Sequence, residues 1–435
     1  MSKIKLKSVE KQGLNQVRPE DKKSWISIAL IWAGSVVCVP ALMVGGFITS
    51  GLGFTKSVIA MVIGYLIVVA YMLFMAMQAG DLGVPSVVTF EGSFGKKGSR
   101  YLASAVIVFC FTSWFAFQTA VCGSAFSGLL NLYGISFPVM ASMILWGVIM
   151  FSTAVYGFGL MKLLNQISVP VMVIILVYAV INILSNPEAY QKIVLFQPEH
   201  PMSIIAGIGI AVGGFAAGGV LAGDVTRYAK NRKETALSVV WGVLPAGIGS
   251  LVIGAILAIN AGALGMDNTS IVAMLTSIGA PILGLIVLIL ATWTTNVANA
   301  YSAGFAFLNL TGMSNEKRAL STLIIGAIGT LIAVMGALQY FGGFLNIVGA
   351  FIPPIAGVTI VDYWIVRKGD VANWQPVDGY NFAGFLSWIF GAGFAFLFPA
   401  IFIPSINGIV ISSISYLVLS PILNRNMVSI KSTKQ

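Results

Sequence analysis

The side chains in this sequence that could do chemistry inside its long apolar runs are hydroxyls, amides and aromatic rings. The densest group is Thr292-Trp293-Thr294-Thr295-Asn296, followed by Asn299 and Ser302. Two adjacent hydroxyls, from Thr294 and Thr295, would join the carbonyl of Ala291 in this group. A second run, Gly34-Ser35-Val36-Val37-Cys38-Val39-Pro40, places a glycine and a proline within a single membrane-length segment. Proline there removes a helix donor and frees carbonyls. The carbonyls of Gly34, Val37 and Ala291 with the hydroxyls of Thr294 and Thr295 make an all-oxygen shell of the kind a sodium ion accepts. The competing reading is that both threonines bond back to their own helix, a common habit of these side chains.

Aromatic rings supply the other half. Trp114 lies in Phe109-Cys110-Phe111-Thr112-Ser113-Trp114-Phe115, and Phe215 stands among Gly207, Gly209, Gly213, Gly214, Gly218, Gly219 and Gly223. A flat heteroaromatic solute between such rings gains stacking contact while nearby backbone groups read its polar edge. Gln118 and Asn299, one turn beyond Trp114 and Thr295, offer polar contacts to a solute or bonds between helices.

The missing groups are as informative. The fourteen acidic residues fall at termini, loops or helix ends, and the only histidine, His200, stands beside Pro201. A mid-membrane region without carboxylate, histidine or lysine lacks the usual buried proton carrier and gives a charged solute no opposite charge. Cys38, Cys110 and Cys122 sit in apolar runs without metal-ligand spacing, which supports neither disulfide nor zinc. With no paired acids and no activated nucleophile inside the membrane, an enzyme is disfavoured and no cofactor is expected.

The elements that position these groups follow from composition. Of 435 residues, 58% are hydrophobic and 9% charged, and the mean hydropathy is +0.94. The apolar runs of about 18 to 25 residues suit helices crossing about 30 Å of hydrocarbon and exceed barrel strands. The expected fold is therefore an all-α polytopic membrane protein with twelve transmembrane helices: 25–50, 55–78, 100–130, 137–157, 165–185, 202–223, 235–260, 269–308, 320–338, 341–364, 381–399 and 402–420. In the eighth the helix proper is expected to start near Pro281, after a re-entrant or surface stretch, and 184–201 is read as an outside loop.

With the amino end inside, the map leaves only Lys56 and Lys192 outside among the 24 Lys and Arg residues. That partition favours two cytoplasmic termini, and it makes the net charge of +10 a matter of topology rather than of a nucleic-acid partner. Interruptions expected in helices one and six, five helices apart, fit an inverted repeat: tail 1–24, helices one to five in 25–185, six to ten in 202–364, two more in 381–420, tail 421–435.

Thr292 to Asn296, continued by Tyr301, Gly304, Phe307, Asn309 and Thr311-Gly312-Met313-Ser314, resembles a pattern of the nucleobase:cation symporter-1 family. Gly223-Asp224-Val225-Thr226-Arg227-Tyr228, Phe351-Ile352-Pro353-Pro354 to Val361-Asp362-Tyr363, Gly95 to Arg100, and Leu419 to Arg425 extend the resemblance along nearly the whole chain. It implies a LeuT-like five-plus-five inverted repeat with two additional helices, and sodium as coupling ion in cytosine members. Carried over by motif, the sodium shell is Gly34, Val37, Ala291, Thr294 and Thr295, and the stacking pair is Trp114 and Phe215. Cytosine members resemble one another in having Gln at Phe111, Ser at Gly214 and Ala217, and Asn at Ala291, so the polar readers of cytosine are absent here. The implied function is uptake of another neutral planar heterocycle, such as a purine, pyrimidine or hydroxymethylpyrimidine, across a bacterial-type inner membrane with no obligate protein partner. A proton-coupled cytosine or purine permease and a non-transporting receptor are the alternatives.

Overall fold

The structure is a computed structural model that describes residues 13–264, 268–279 and 281–423. Asp267 and Ala280, most of the amino tail, and the carboxyl tail with Arg425, Lys431 and Lys434 lie outside the described residues. The described chain is helical, with one isolated backbone bridge between Lys23 and Ala229.

Among the described residues, eight helices are long and apolar enough to cross a membrane, one further pair does so as a bent unit, and three shorter apolar helices accompany them. Taken as crossings they accommodate the twelve expected segments. They are α1 (Trp25–Val36 continued by Val39–Leu52), α2 (Phe54–Leu82), α3 (Ser104–Asn131), α4 (Val139–Val155), α5 (Phe158–Leu184) and α6 (Ile204–Val220). The second half comprises α7 (Arg232–Ala261), α8 (Pro281–Thr311), α9 (Arg318–Val334), α10 (Phe341–Phe351 continued by Pro353–Ile360), α11 (Phe382–Leu397) and α12 (Pro404–Leu423).

The outer surface shows why the sequence is so apolar. On α5, Ile167, Ile174 and Ile181, seven residues apart, are 61%, 68% and 60% exposed. Asn165, Ser168, Met172 and Ala179 of the same helix are buried. Seven residues make two helical turns, so one stripe faces outward and the other packs inside. An apolar stripe of this kind suits lipid, whereas water would penalise it.

Helix α1 breaks where proline requires it. Its halves meet at 58°, Cys38 is extended at φ −137° and ψ 157°, and Pro40 occupies the first turn of the second half, where its missing N–H costs least. The second half then crosses α7 at backbone contact: a Cβ on Gly45 would lie 1.9 Å from Leu251 O, and one on Gly254 2.1 Å from Leu42 O. Only glycine allows such an approach.

Several sequence expectations change in detail. Helix α6 runs unbroken through its glycines from Ile204 to Val220 and departs from the helix only at Leu221, before a short turn Gly223–Thr226. Six of those seven glycines are thus inside a regular helix, where Gly207 and Gly219 admit Leu52 and Tyr71; the interruption falls at the end. Helix α3 begins later than expected, after a Glu91–Gly98 helix kinked at Gly95 (φ 79°) and a π-turn over Ser99–Ala103. Helix α5 begins at Phe158, seven residues before the expected start. The segment 184–201 holds a helix, Pro187–Val194, whose start is capped by Asn186 Oδ1 accepting from Glu188 N and Ala189 N. The start of α8 at Pro281 and the separate helix Asn268–Thr276 before it agree with the expectation.

Candidate functional site

The break in α1 decides where carbonyls are available. In an unbroken helix Cys38 N would bond to Gly34 O; here it donates instead to Val36 O at 3.1 Å. Gly34 O and Ser35 O are taken up by α8. Thr294 Oγ1 donates toward Gly34 O (2.8 Å), Leu290 O (2.8 Å) and Ala291 O (3.2 Å). Thr295 Oγ1 lies 2.9 Å from Ala291 O, 3.2 Å from Gly34 O and 3.3 Å from Ser35 O. Both alternatives for these threonines therefore hold at once, since each hydroxyl reaches its own helix and α1.

The proton count gives the cluster its chemistry. Two hydroxyls carry one proton each, yet four carbonyl oxygens crowd them within hydrogen-bond distance, in a place where Thr294 and Ala291 are wholly buried. Acceptors outnumber donors, and a small hard cation without a protein charge partner suits such an oxygen-rich group. Gly34, Ala291, Thr294 and Thr295 are brought together as expected. Val37 sits at the break with φ −80° and ψ 86°, but among the described residues no hydrogen bond ties it to the threonines. Ser35, whose carbonyl joins the cluster, was missed by the sequence reading; its signal was the same proline, which frees successive carbonyls of the preceding turn.

Beside this cluster lies a cavity of about 80 Å³, several times the roughly 10 to 15 Å³ that one water needs. Trp114, Phe215, Phe111, Gly214, Ala217, Gln118 and Asn299 all line it. Ala291 does not; its contribution is the carbonyl in the oxygen cluster. The rings are held by other rings. Phe215 stacks on Tyr65 (centroids 6.3 Å apart, planes at 11°) and meets Trp32 edge-on at 6.3 Å. Trp114 stands edge-on to Phe341 at 5.7 Å and Phe344 at 5.4 Å, both from the first half of α10. Such contacts fix ring orientation before a solute arrives. Trp32 and Tyr65 also line the cavity and were not anticipated, because in sequence they look like ordinary apolar helix residues.

Polar groups in the wall are few. Gln118 is fully buried, and among the described residues neither its Oε1 nor its Nε2 has a hydrogen-bond partner of normal geometry; the Cys38 thiol, a weak donor, stands beside it. An amide left unsatisfied in a closed interior is costly, and a ligand edge that pairs with it recovers that cost. Asn299 differs: its Nδ2 donates to Asn296 Oδ1 at 3.1 Å, and Asn296 is itself anchored on Phe115 O and Thr119 Oγ1. The interhelical role weighed for Asn299 is thus partly realised through Asn296. Gly214 faces open space, the nearest atom to a Cβ there being Val44 Cγ1 at 4.0 Å.

The loop acids are less solvated than their positions suggest. Asp224 is 2% exposed, accepts from Ser86 N at 2.9 Å and has Ser302 of the cavity wall beside it. Asp362 is 2% exposed and pairs with Arg367 at 2.9 Å. Among the described residues no group of three or more His, Cys, Asp or Glu is placed to hold a metal ion.

With this geometry in view, the comparisons with known proteins are consistent. The model of a family described as permease for cytosine/purines, uracil, thiamine, allantoin matches residues 18–419. The cytosine permease of Escherichia coli K12 is 28% identical over 408 residues, covering 93% of each chain. The hydantoin permease of Microbacterium maritypicum is 26% identical over 368 residues, covering 79% of this chain and 73% of its own. Among solved structures, a nucleobase-cation-symport-1 family transporter in a closed conformation with bromovinylhydantoin bound superposes with a TM-score of 0.82 at 21% identity, covering 95% of this chain and 96% of that one. The fold is the LeuT-like arrangement expected from the sequence, and the chain belongs to the permease family for cytosine/purines, uracil, thiamine and allantoin, a family of membrane transporters.

Proposed function

We propose that this permease is a sodium-coupled uptake symporter for a neutral planar heterocycle other than cytosine, oriented with its amino end in the cytoplasm. One observation carries the coupling: Ser35 and Thr295 belong to both the oxygen cluster and the cavity wall. Closing α1 onto α8 around a cation therefore shapes the solute cavity, and a solute in the cavity holds the cluster closed. Mutual stabilisation of this kind is reciprocal, each partner raising the affinity of the other by the same factor.

The residues divide the work. Thr294, Thr295 and the carbonyls of Gly34, Ser35 and Ala291 supply neutral oxygens, the donor set a sodium ion takes. Phe215, preset by Tyr65 and Trp32, and Trp114, preset by Phe341 and Phe344, supply ring faces. Gln118 supplies one acceptor and two donors for a polar edge. Phe111, Gly214 and Ala217 add no side-chain polar group, which removes three readers found in cytosine members from a wall that would have to satisfy cytosine's amino and carbonyl groups.

The test is equilibrium binding to the purified protein, with and without sodium, of cytosine, uracil, adenine, hypoxanthine, hydroxymethylpyrimidine, hydantoin and a non-aromatic amino acid. The reading expects one ring compound to lead, with affinity rising with sodium. Tight cytosine binding, or preference for the amino acid, would overturn the substrate assignment; identical affinities in sodium and choline would overturn the coupling.

Proton coupling is the second reading, and buried Asp224 beside Ser302 of the cavity wall is the observation that favours it. Uptake that runs in sodium-free medium on a pH gradient and is lost in Asp224→Asn selects this reading over the first.

A further inference from the structure

Asn165 of α5 is fully buried, and its side chain is only half satisfied. Its Nδ2 donates to Met161 O one turn earlier at 2.8 Å, which orients the amide, and among the described residues its Oδ1 has no hydrogen-bond partner. That oxygen lies against Gly34, whose carbonyl belongs to the oxygen cluster. A Cβ built on Gly34 would lie 1.5 Å from Asn165 Oδ1 and 3.3 Å from Thr294 Cβ, so the asparagine oxygen and the threonine are neighbours across Gly34. Gly34 must be glycine because the asparagine occupies its side-chain space. Helix α5 packs against both the first half of α1 and α8, which flank the cluster.

We propose that Asn165 Oδ1 is a further oxygen ligand of the cation, contributed by a third helix. The proposal rests on the ion reading of the threonine cluster. A buried carbonyl oxygen with no donor costs free energy unless something positive faces it, and the surrounding groups are themselves acceptor-rich. A cation at the junction answers all of these oxygens together. The consequence is mechanical: α5 becomes tied to α1 and α8 when the cluster is loaded and is released when it empties.

The experiment titrates sodium into the full-length purified protein without solute, reading the midpoint of thermal unfolding and tryptophan fluorescence, for wild type, Asn165→Ala and Asn165→Asp. Asn165→Ala is expected to raise the sodium half-saturation by about tenfold or more, the equivalent of one lost ligand worth about 1.4 kcal/mol. Solute affinity at saturating sodium should stay within about twofold, because Asn165 is not in the cavity wall. Asn165→Asp should keep or tighten the sodium response and make it weaken on acidification, when the new carboxylate takes up a proton. Unchanged sodium half-saturation in Asn165→Ala, or in Asn165→Asp at every pH should the alanine variant not fold, overturns the proposal while the ion reading stands. A wild-type protein with no sodium response overturns the ion reading itself.

Discussion

Gln118→Leu is the perturbation that separates a solute-reading amide from a packing residue. Leucine nearly matches the volume of glutamine but removes two buried polar atoms that, among the described residues, have no neighbour to pair with beyond the weakly bonding Cys38 thiol. In the protein without solute, each such atom costs about 1 to 3 kcal/mol relative to a satisfied or apolar group. The substitution should therefore raise the unfolding midpoint of the solute-free protein. In the bound protein the sign reverses, because the solute's polar edge loses its partner and is desolvated against a methyl group. One lost partner at about 1 to 3 kcal/mol weakens binding by about 5-fold to 150-fold. The assay is thermal unfolding with and without the best solute of the panel, supported by equilibrium competition. The expected pattern is crossed: higher midpoint alone, smaller shift with solute. A variant that is destabilised without solute, yet binds it as wild type does, would show that Gln118 is a structural residue and would refute the reasoning.

Replacing Thr294 and Thr295 together by alanine should abolish the sodium dependence of solute binding, read as the ratio of affinities in sodium and choline. Trp114→Ala and Phe215→Ala should each weaken the solute by about 2-fold to 13-fold, the worth of a ring contact of about 0.5 to 1.5 kcal/mol beyond area, with competition binding as the check. Phe111→Gln, Gly214→Ser and Ala217→Ser combined should raise cytosine affinity, since Gly214 has room for a side chain; isothermal titration with cytosine decides it. Single cysteines in a cysteine-free background should be labelled at position 192 in intact cells and at position 317 only after permeabilisation.

Local patterns carried a large part of this protein. Helix segments showed because each apolar run has membrane length, and the break in α1 showed because Pro40 cannot continue a ladder of hydrogen bonds. The break in α6 was misplaced, since glycine merely permits irregularity: with Tyr71 against Gly219 and Leu52 against Gly207, these glycines serve close packing in a continuous helix. The oxygen cluster was visible through two adjacent hydroxyls and a proline-freed turn, yet Asn165 was not, because nothing in a one-dimensional pattern brings the fifth helix to Gly34. Trp32 and Tyr65 stayed hidden for the same reason, as their meaning comes from Phe215 lying between them. Gln118 illustrates the general limit. Its spacing from Trp114 places it on the cavity side of α3, but whether an amide is satisfied depends on every neighbouring helix. Only when those helices are in place does its lack of a partner in the cavity wall become visible.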